Sequence, residues 1–277
     1  MLTDRSRRVR EARKLRRRAA REKAGLFLAE GPQAVGEALG EYSGPRPGLV
    51  VEIFVAMSTV ARHTGLLDNA AGAGVTVQLA DDAALASLSE TVTPQGLVAV
   101  CRLLTVPLTE ALGSTPELVA VLVEVRDPGN AGTVIRCADA AGADAVIIAG
   151  DSVDPHGGKC VRASAGSLFH LPVVAGVPPA EAVRALRDRG MSVLAADGAG
   201  ATDLDGAEDD GLLSRPTAWL FGNEASGLSA DVLALADRVV RIPIHGRAES
   251  LNLATAAAVC LYASARARRR TRPSGVS

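Results

Sequence analysis

Hydrophobic and polar positions along this chain fall into blocks that switch between strand-like and helix-like periods. "GLFLAEGPQAVGEALG" (25–40) reads as a short strand followed by a helix, and "LVVEIFVA" (49–56), "VTVQLA" (75–80) and "GLVAVCRL" (96–103) read as strands. Between them, "TVARHTGLLDNAAGAG" predicts a helix and turn, and "DDAALASLSET" a capped helix. Together these make a small α/β unit over 24–103. "LLTVPLTEALGSTPE" carries two prolines among turn residues and predicts a linker over 104–116.

From residue 117 the strands change character. "ELVAVLVEV" (117–125) is a continuous apolar run, as expected of a parallel strand buried on both faces. Further strands are predicted at "DAVIIAG", "LPVVAG", "MSVLAAD", "TAWLFG" and "DRVVRIPI". Helices are predicted at "GTVIRCADAAGA", at "PPAEAVRALRDRG", near Ser229, and from Ser250 to about Arg270. A polar loop follows Asp151, and "GAGATDLDGAEDDGLLSRP" reads as an acidic loop. No internal repeat is visible. The alternation predicts an α/β fold, a mostly parallel sheet with helices on both faces over 117–270, preceded by the small α/β domain and followed by a tail at 271–277.

Composition narrows the function classes. Aromatic residues make up 3% of the 277 positions, which argues against the stacking platforms of single-strand binders. The formal net charge of −1 hides an asymmetry. Residues 1–23 hold eleven Lys/Arg against three acids, and 266–277 hold five Arg and no acid, leaving 14 basic against 28 acidic residues in 24–265. Such basic extensions, with Arg16, Arg17 and Arg18 at the centre of the first, suit contact with a polyanion such as RNA. A solvated helical arm or a targeting peptide is the alternative. Residues 1–23 contain no apolar stretch of the secretory kind, and no run approaches the ~18 apolar residues of a membrane span. Cys101, Cys137, Cys160 and Cys260 are scattered without metal spacing, as are the four histidines. The expectation is a cytoplasmic protein with reduced thiols, no metal and no membrane contact.

Familiar chemical signatures fail. "GAGATD" lacks the third glycine of a dinucleotide fingerprint, Val153 stands where a phosphate loop needs its first glycine, and no G-x-S-x-G elbow occurs. Three polar clusters remain, each where an apolar strand ends: "RDPGNAGTVIR", "LFGNEASGLS" and "IPIHGRAESLNL". In the first, Val134, Ile135, Ala138 and Ala141 form an apolar stripe, so Arg136 points away from it. Open α/β sheets bind ligands at the carboxyl ends of their strands, so the clusters suggest one shared site. Taken singly, each also reads as capping and turn chemistry.

In order and spacing, the three clusters resemble the SpoU (TrmH-like) family of SPOUT RNA ribose 2′-O-methyltransferases. The matching positions are Asp127, Pro128, Asn130, Gly132 and Arg136; then Gly222, Glu224 and Gly227; then Ile242, Pro243, Ser250, Leu251 and Asn252. "ASAG" (163–166) is also family-like. The resemblance implies a C-terminal trefoil knot, a homodimer, and methyl transfer from S-adenosylmethionine to a ribose 2′-hydroxyl. It implies a cofactor site at Gly222, Asn223, Ile242, Pro243 and Leu251, and a polar site of Asn130, Arg136, Glu224, Ser250 and Asn252. A guanidinium stays protonated in proteins, so Arg136 is expected to donate to phosphate and to developing alkoxide charge, not to act as a base. Glu224 would orient Arg136 or Asn130, and Arg162 would assist in holding RNA. The separate first domain favours 23S ribosomal RNA, as in family members that maintain ribosomes or confer resistance to ribosome-targeting antibiotics. Transfer RNA as substrate, or an inactive RNA-binding assembly protein, are the alternatives.

Overall fold

The computed structural model describes residues 1–40, 44 and 47–271. The 271–277 tail lies, beyond Thr271, outside the described residues. In chain order the elements are α1 (Arg7–Lys14), α2 (Arg18–Ala24), β1 (Leu26–Glu30), α3 (Pro32–Leu39), β2 (Val50–Ala56), α4 (Thr64–Gly72), β3 (Thr76–Ala80), α5 (Asp82–Leu88) and β4 (Leu97–Arg102). There follow α6 (Leu108–Ala111), β5 (Leu118–Val123), α7 (Pro128–Ala141), β6 (Ala145–Ala149), α8 (Gly158–Ala163), β7 (Val173–Val177), α9 (Pro179–Arg187) and β8 (Ser192–Ala196). The chain continues through β9 (Thr202–Asp203), α10 (Leu204–Asp209), β10 (Thr217–Phe221), α11 (Ala230–Leu233), β11 (Arg238–Arg241) and α12 (Leu253–Thr271).

Two compact units result: residues 1–104 with 154–170, and residues 105–153 with 171–277. The first holds a four-stranded mixed sheet in the order β1-β4-β2-β3, in which only β2 and β3 run parallel. Its basic N-terminal segment is folded into this unit as α1 and α2. Val9, Ala12 and Leu15 recur at helical spacing and bury in the core with Phe54, Leu85 and Val98, which leaves the arginines of α1 outside. Leu2 forms a parallel bridge with Ala80. Residues 154–170, placed by sequence order among the later strands, belong to this unit, where Phe27 stacks near Phe169 and packs its ring 4.8 Å from that of His156.

The second unit is built on a seven-stranded, wholly parallel sheet in the order β7-β6-β5-β10-β8-β11-β9. Every residue of β5, β6 and β10 is buried, as their unbroken apolar runs require. Two segments read as irregular form structure here. Within 104–116, Leu108, Ala111 and Leu112 share a helical face and bury in the core, so the two prolines bracket α6 without preventing it. Within the acidic stretch, the Asp203 side chain caps α10 by accepting from Gly206 N at 2.8 Å, while Leu204 and Ala207 bury. Helix α12 packs on α7, and Trp219 Nε1 donates to buried Ser264 Oγ at 2.9 Å. Among the described residues, no helix is long and apolar enough to cross a membrane.

Candidate active site

The carboxyl ends of β8, β10 and β11 in the second unit, with Asn130 of α7, open on a cleft of about 480 Å³. That volume falls within the roughly 300–1,000 Å³ of ordinary small-ligand sites. One wall starts at β5, where Glu124 adopts φ 55, a left-handed conformation rare outside glycine. Its carbonyl accepts from Asn223 Nδ2 at 2.8 Å, so the loop after β10 pins the strained residue. The chain then enters α7 through Asp127, whose side chain accepts from Asn130 N at 2.9 Å, with Pro128 preset for the first turn.

The loop after β10 is closed by paired backbone hydrogen bonds between Asn223 and Gly227, at 3.0 and 2.9 Å. Gly222 permits this closure, because a Cβ there would stand 2.3 Å from the Gly227 carbonyl carbon. Asn223 Oδ1 accepts from Ala225 N and Ser226 N, and the turn extends Glu224 toward the start of α7. Glu224 Oε1 accepts from Asn130 Nδ2 and Asp127 N, both at 3.1 Å, and Oε2 accepts from Arg126 N at 3.2 Å. Partial burial pushes its carboxyl up. The N–H donors of its own backbone, Asn130, Arg126 and Asp127 outweigh this and hold it below the ordinary carboxylate range.

The third wall joins through Asn252. Its Nδ2 donates to Asn130 Oδ1 at 3.1 Å, while its Oδ1 accepts from Ala254 N and Thr255 N and caps α12. Asn130 therefore bridges Glu224 and Asn252, and three sequence blocks meet in one hydrogen-bond chain.

Of the residues singled out from sequence, Asn130, Glu224, Ser250 and Asn252 line the cleft together with Gly222, Asn223, Ile242 and Leu251. Pro243 is absent from the lining while Ile242 and Ile244 are in it, as alternation along an extended segment directs. Arg136 is also outside the lining, exposed on α7, with no hydrogen bond or ion pair among the described residues. Glu224 thus orients Asn130 and not Arg136. Arg162 lies in the first unit, 3.1 Å from Glu30. Arg16, Arg17 and Arg18 are exposed in that same unit. The sequence reading missed Asp197 and Gly198 after β8, and Ile244 and Glu249 before α12. Only their position beyond apolar strands signalled them.

A parallel α/β domain with a polar, cofactor-sized cleft at its strand ends defines a ligand-binding, enzyme-type domain. Residues 117–262 match the SpoU rRNA Methylase family, and the chain belongs to that family. Residues 6–99 match the MRM3-like substrate binding domain, which includes most of the basic segment. The chain is 36% identical over 255 residues to the 23S rRNA (guanosine(2553)-2′-O)-methyltransferase RlmP of Bacillus subtilis (strain 168), covering 92% of this chain and 94% of the relative. An AdoMet-bound rRNA methyltransferase from Sinorhizobium meliloti has a similar crystal structure, with TM-score 0.80, 30% identity and 96% coverage of each chain. So does the SpoU methyltransferase AviRb from Streptomyces viridochromogenes in complex with AdoMet, with TM-score 0.81, 30% identity, and coverage of 96% of this chain and 100% of AviRb.

Proposed function

We propose that this protein transfers a methyl group from S-adenosylmethionine to a ribose 2′-hydroxyl of 23S ribosomal RNA. The observation that carries the reading is the convergence of Asn130, Glu224 and Asn252 on one cofactor-sized cleft. The residues present fit S-adenosylmethionine. Ile242, Ile244 and Leu251 offer apolar wall, and the exposed Gly227 leaves backbone accessible to a close-lying ligand. When bound, the cofactor supplies an electrophilic sulfonium methyl.

The chain's own groups then have separable tasks. Glu224 already accepts from three external donors and is held ionised, so it is a poor proton acceptor and serves to fix Asn130. Arg136 is an exposed, unpaired cation, free to hold the phosphate beside the target ribose and to stabilise charge developing on the 2′-oxygen. The proton leaves through that phosphate or water. In-line placement of the hydroxyl supplies much of the acceleration, because a neutral hydroxyl is a weak nucleophile.

The same reading includes a homodimer, supported by Val259 and Tyr262, which stay 37% and 47% exposed on the outer face of α12. It also includes the C-terminal knot, supported by the insertion of β10 between β5 and β8, and a cytoplasmic location set by the ribosomal substrate. The test is incorporation of labelled methyl into 23S ribosomal RNA, with 2′-O-methyl sites mapped in cells with and without the protein. One new ribose methylation in 23S RNA is expected. Methylation of transfer RNA alone would change the substrate, and no incorporation into any RNA would sink the transfer activity.

A further inference from the structure

A second cavity, of about 250 Å³, lies wholly within the first unit, and nothing in the transfer step uses it. The start of α3, the loop between α5 and β4, and the turn after α8 enclose it. Its walls depend on left-handed backbone: φ is 92 at Gly31, 97 at Gly166 and 47 at Ala165. A Cβ on Gly31 would lie 2.6 Å from Gln95 Oε1, and one on Gly166 2.6 Å from Glu37 Cγ. Close backbone approach shapes this space.

The charges of the lining cancel within it. Arg162 Nη1 lies 3.1 Å from Glu30 Oε2, and Glu30 Oε1 also accepts from Thr91 Oγ1 at 2.6 Å. The groups left to meet a ligand are neutral. Gln33 Nε2 donates to Ala165 O at 2.9 Å, which leaves its carbonyl oxygen open. The Gln95 amide and Thr93 hydroxyl have no hydrogen-bond partner among the described residues, and both residues are exposed. Mixed neutral donors and acceptors suit the edge of an unpaired nucleobase, where amides pair with adjacent donor and acceptor atoms. A phosphate would need an unpaired cation, which this lining lacks. A cation stands beside the lining instead, at Arg16. Glu90 stands 3.9 Å from both Arg162 and Arg16, and Arg16 opens the exposed run Arg16–Arg18.

We propose that this cavity receives one unpaired nucleobase of the RNA substrate. Gln33, Thr93 and Gln95 read its edge, and Arg16–Arg18 hold phosphates of the same strand. The inference rests on the RNA reading above but assigns selection to the first unit's own cavity. It is tested by equilibrium binding and ultraviolet cross-linking to an unmodified 23S ribosomal RNA transcript, without S-adenosylmethionine. The Gln33→Ala/Gln95→Ala double variant, with an unchanged melting temperature, should bind about tenfold more weakly at an unchanged salt slope, as when neutral hydrogen bonds are lost. Arg16→Ala/Arg17→Ala/Arg18→Ala should instead flatten the slope of log affinity against log salt by about two. Wild-type cross-links should map to residues 91–95. Wild-type affinity in the glutamine double variant, or cross-links confined to other segments, would overturn the proposal; a protein ligand in the cavity gives that first result. Neither measurement requires turnover, so RNA binding through this cavity without methyl transfer would refute the transfer reading alone.

Discussion

Asp154 in the first unit and Glu224 in the second are both carboxylates held ionised against burial, yet their surroundings differ. Asp154 faces a cation: Arg21 Nη2 and Nε lie 2.6 and 2.8 Å from its Oδ2, while His156 N donates to Oδ1 at 2.9 Å. Arg21 is 5% exposed and also donates to Leu15 O, and His156 Nε2 accepts from Leu104 N. This network is sealed, and it ties residues 154–156 to the N-terminal helices. Glu224 instead is exposed at a cleft and takes three neutral N–H donors. Its negative charge meets no cation within the network and remains available to a ligand. A sealed carboxylate with a counter-ion staples the fold, whereas an open one with neutral donors organises a site.

The largest expected effect lies at the open extreme. Arg136 is exposed and forms no side-chain hydrogen bond or ion pair among the described residues, so Arg136→Ala should leave melting temperature and S-adenosylmethionine affinity unchanged and lower methyl transfer on the order of a thousandfold, the scale of losing a donor to developing oxyanion charge. Isothermal titration with cofactor beside single-turnover transfer separates the two. Weakened cofactor binding would mean that Arg136 supports the cleft and belongs to its structural framework.

Asp154→Asn tests the sealed side. It leaves the Arg21 guanidinium buried without its counter-ion, and should destabilise the protein by about 3 kcal/mol in chemical denaturation at neutral pH. Burial alone would raise the Asp154 carboxyl, but the hydrogen bonds from His156 and Arg21 hold it well below the ordinary range. A depressed folded-state pKa gives stability that is present above the unfolded value near 3.9 and lost as pH falls through the folded one. The gap between wild type and variant should therefore narrow below about pH 4. A gap independent of pH would show that the ion pair is not the staple.

Gly222→Ala comes next. The added Cβ would displace Gly227 backbone and, with it, the turn that aims Glu224. S-adenosylmethionine affinity should drop about a hundredfold, on the scale of the roughly 1–3 kcal/mol that overpacking commonly costs. Retained affinity in that variant would free the loop from its assigned role.

Much of this was legible in the chain. The unbroken apolar run of β5 and the alternation of strands with helices announced a parallel sheet, and "DDAALASLSET" read as a capped helix, which Asp81 completes by accepting from Ala84 N at 2.7 Å. The union of three blocks in one site followed from strand polarity. What the chain concealed depends on partners distant in sequence. Nothing in "DPHGGKCVRASAGSLFH" shows that His156 and Phe169 pack against Phe27, more than a hundred residues earlier. Nor does "RDPGNAGTVIR" show that Asn130 enters the cleft chain while Arg136, six positions on, stays outside. Six helical positions amount to roughly 240° of rotation, so the two side chains leave α7 on different faces.

Asn252 offers the smallest effect and the finest discrimination, because it belongs to both kinds of network. Its Oδ1 caps α12, a structural task, and its Nδ2 donates to Asn130, a task of the cleft. Asn252→Ala should remove both, lowering stability by about 1 kcal/mol through the lost cap and weakening methyl transfer with it. Asn252→Asp keeps an oxygen for the cap and gains from a negative charge at a helix N-terminus. It loses the donor to Asn130 and sets a carboxylate against the Asn130 carbonyl oxygen. Its melting temperature should match or exceed that of wild type, while S-adenosylmethionine affinity or transfer falls several-fold. Parallel loss of stability and activity in the aspartate variant would show that Asn252 acts only as a cap, and that the hydrogen-bond chain through Asn130 ends at Glu224.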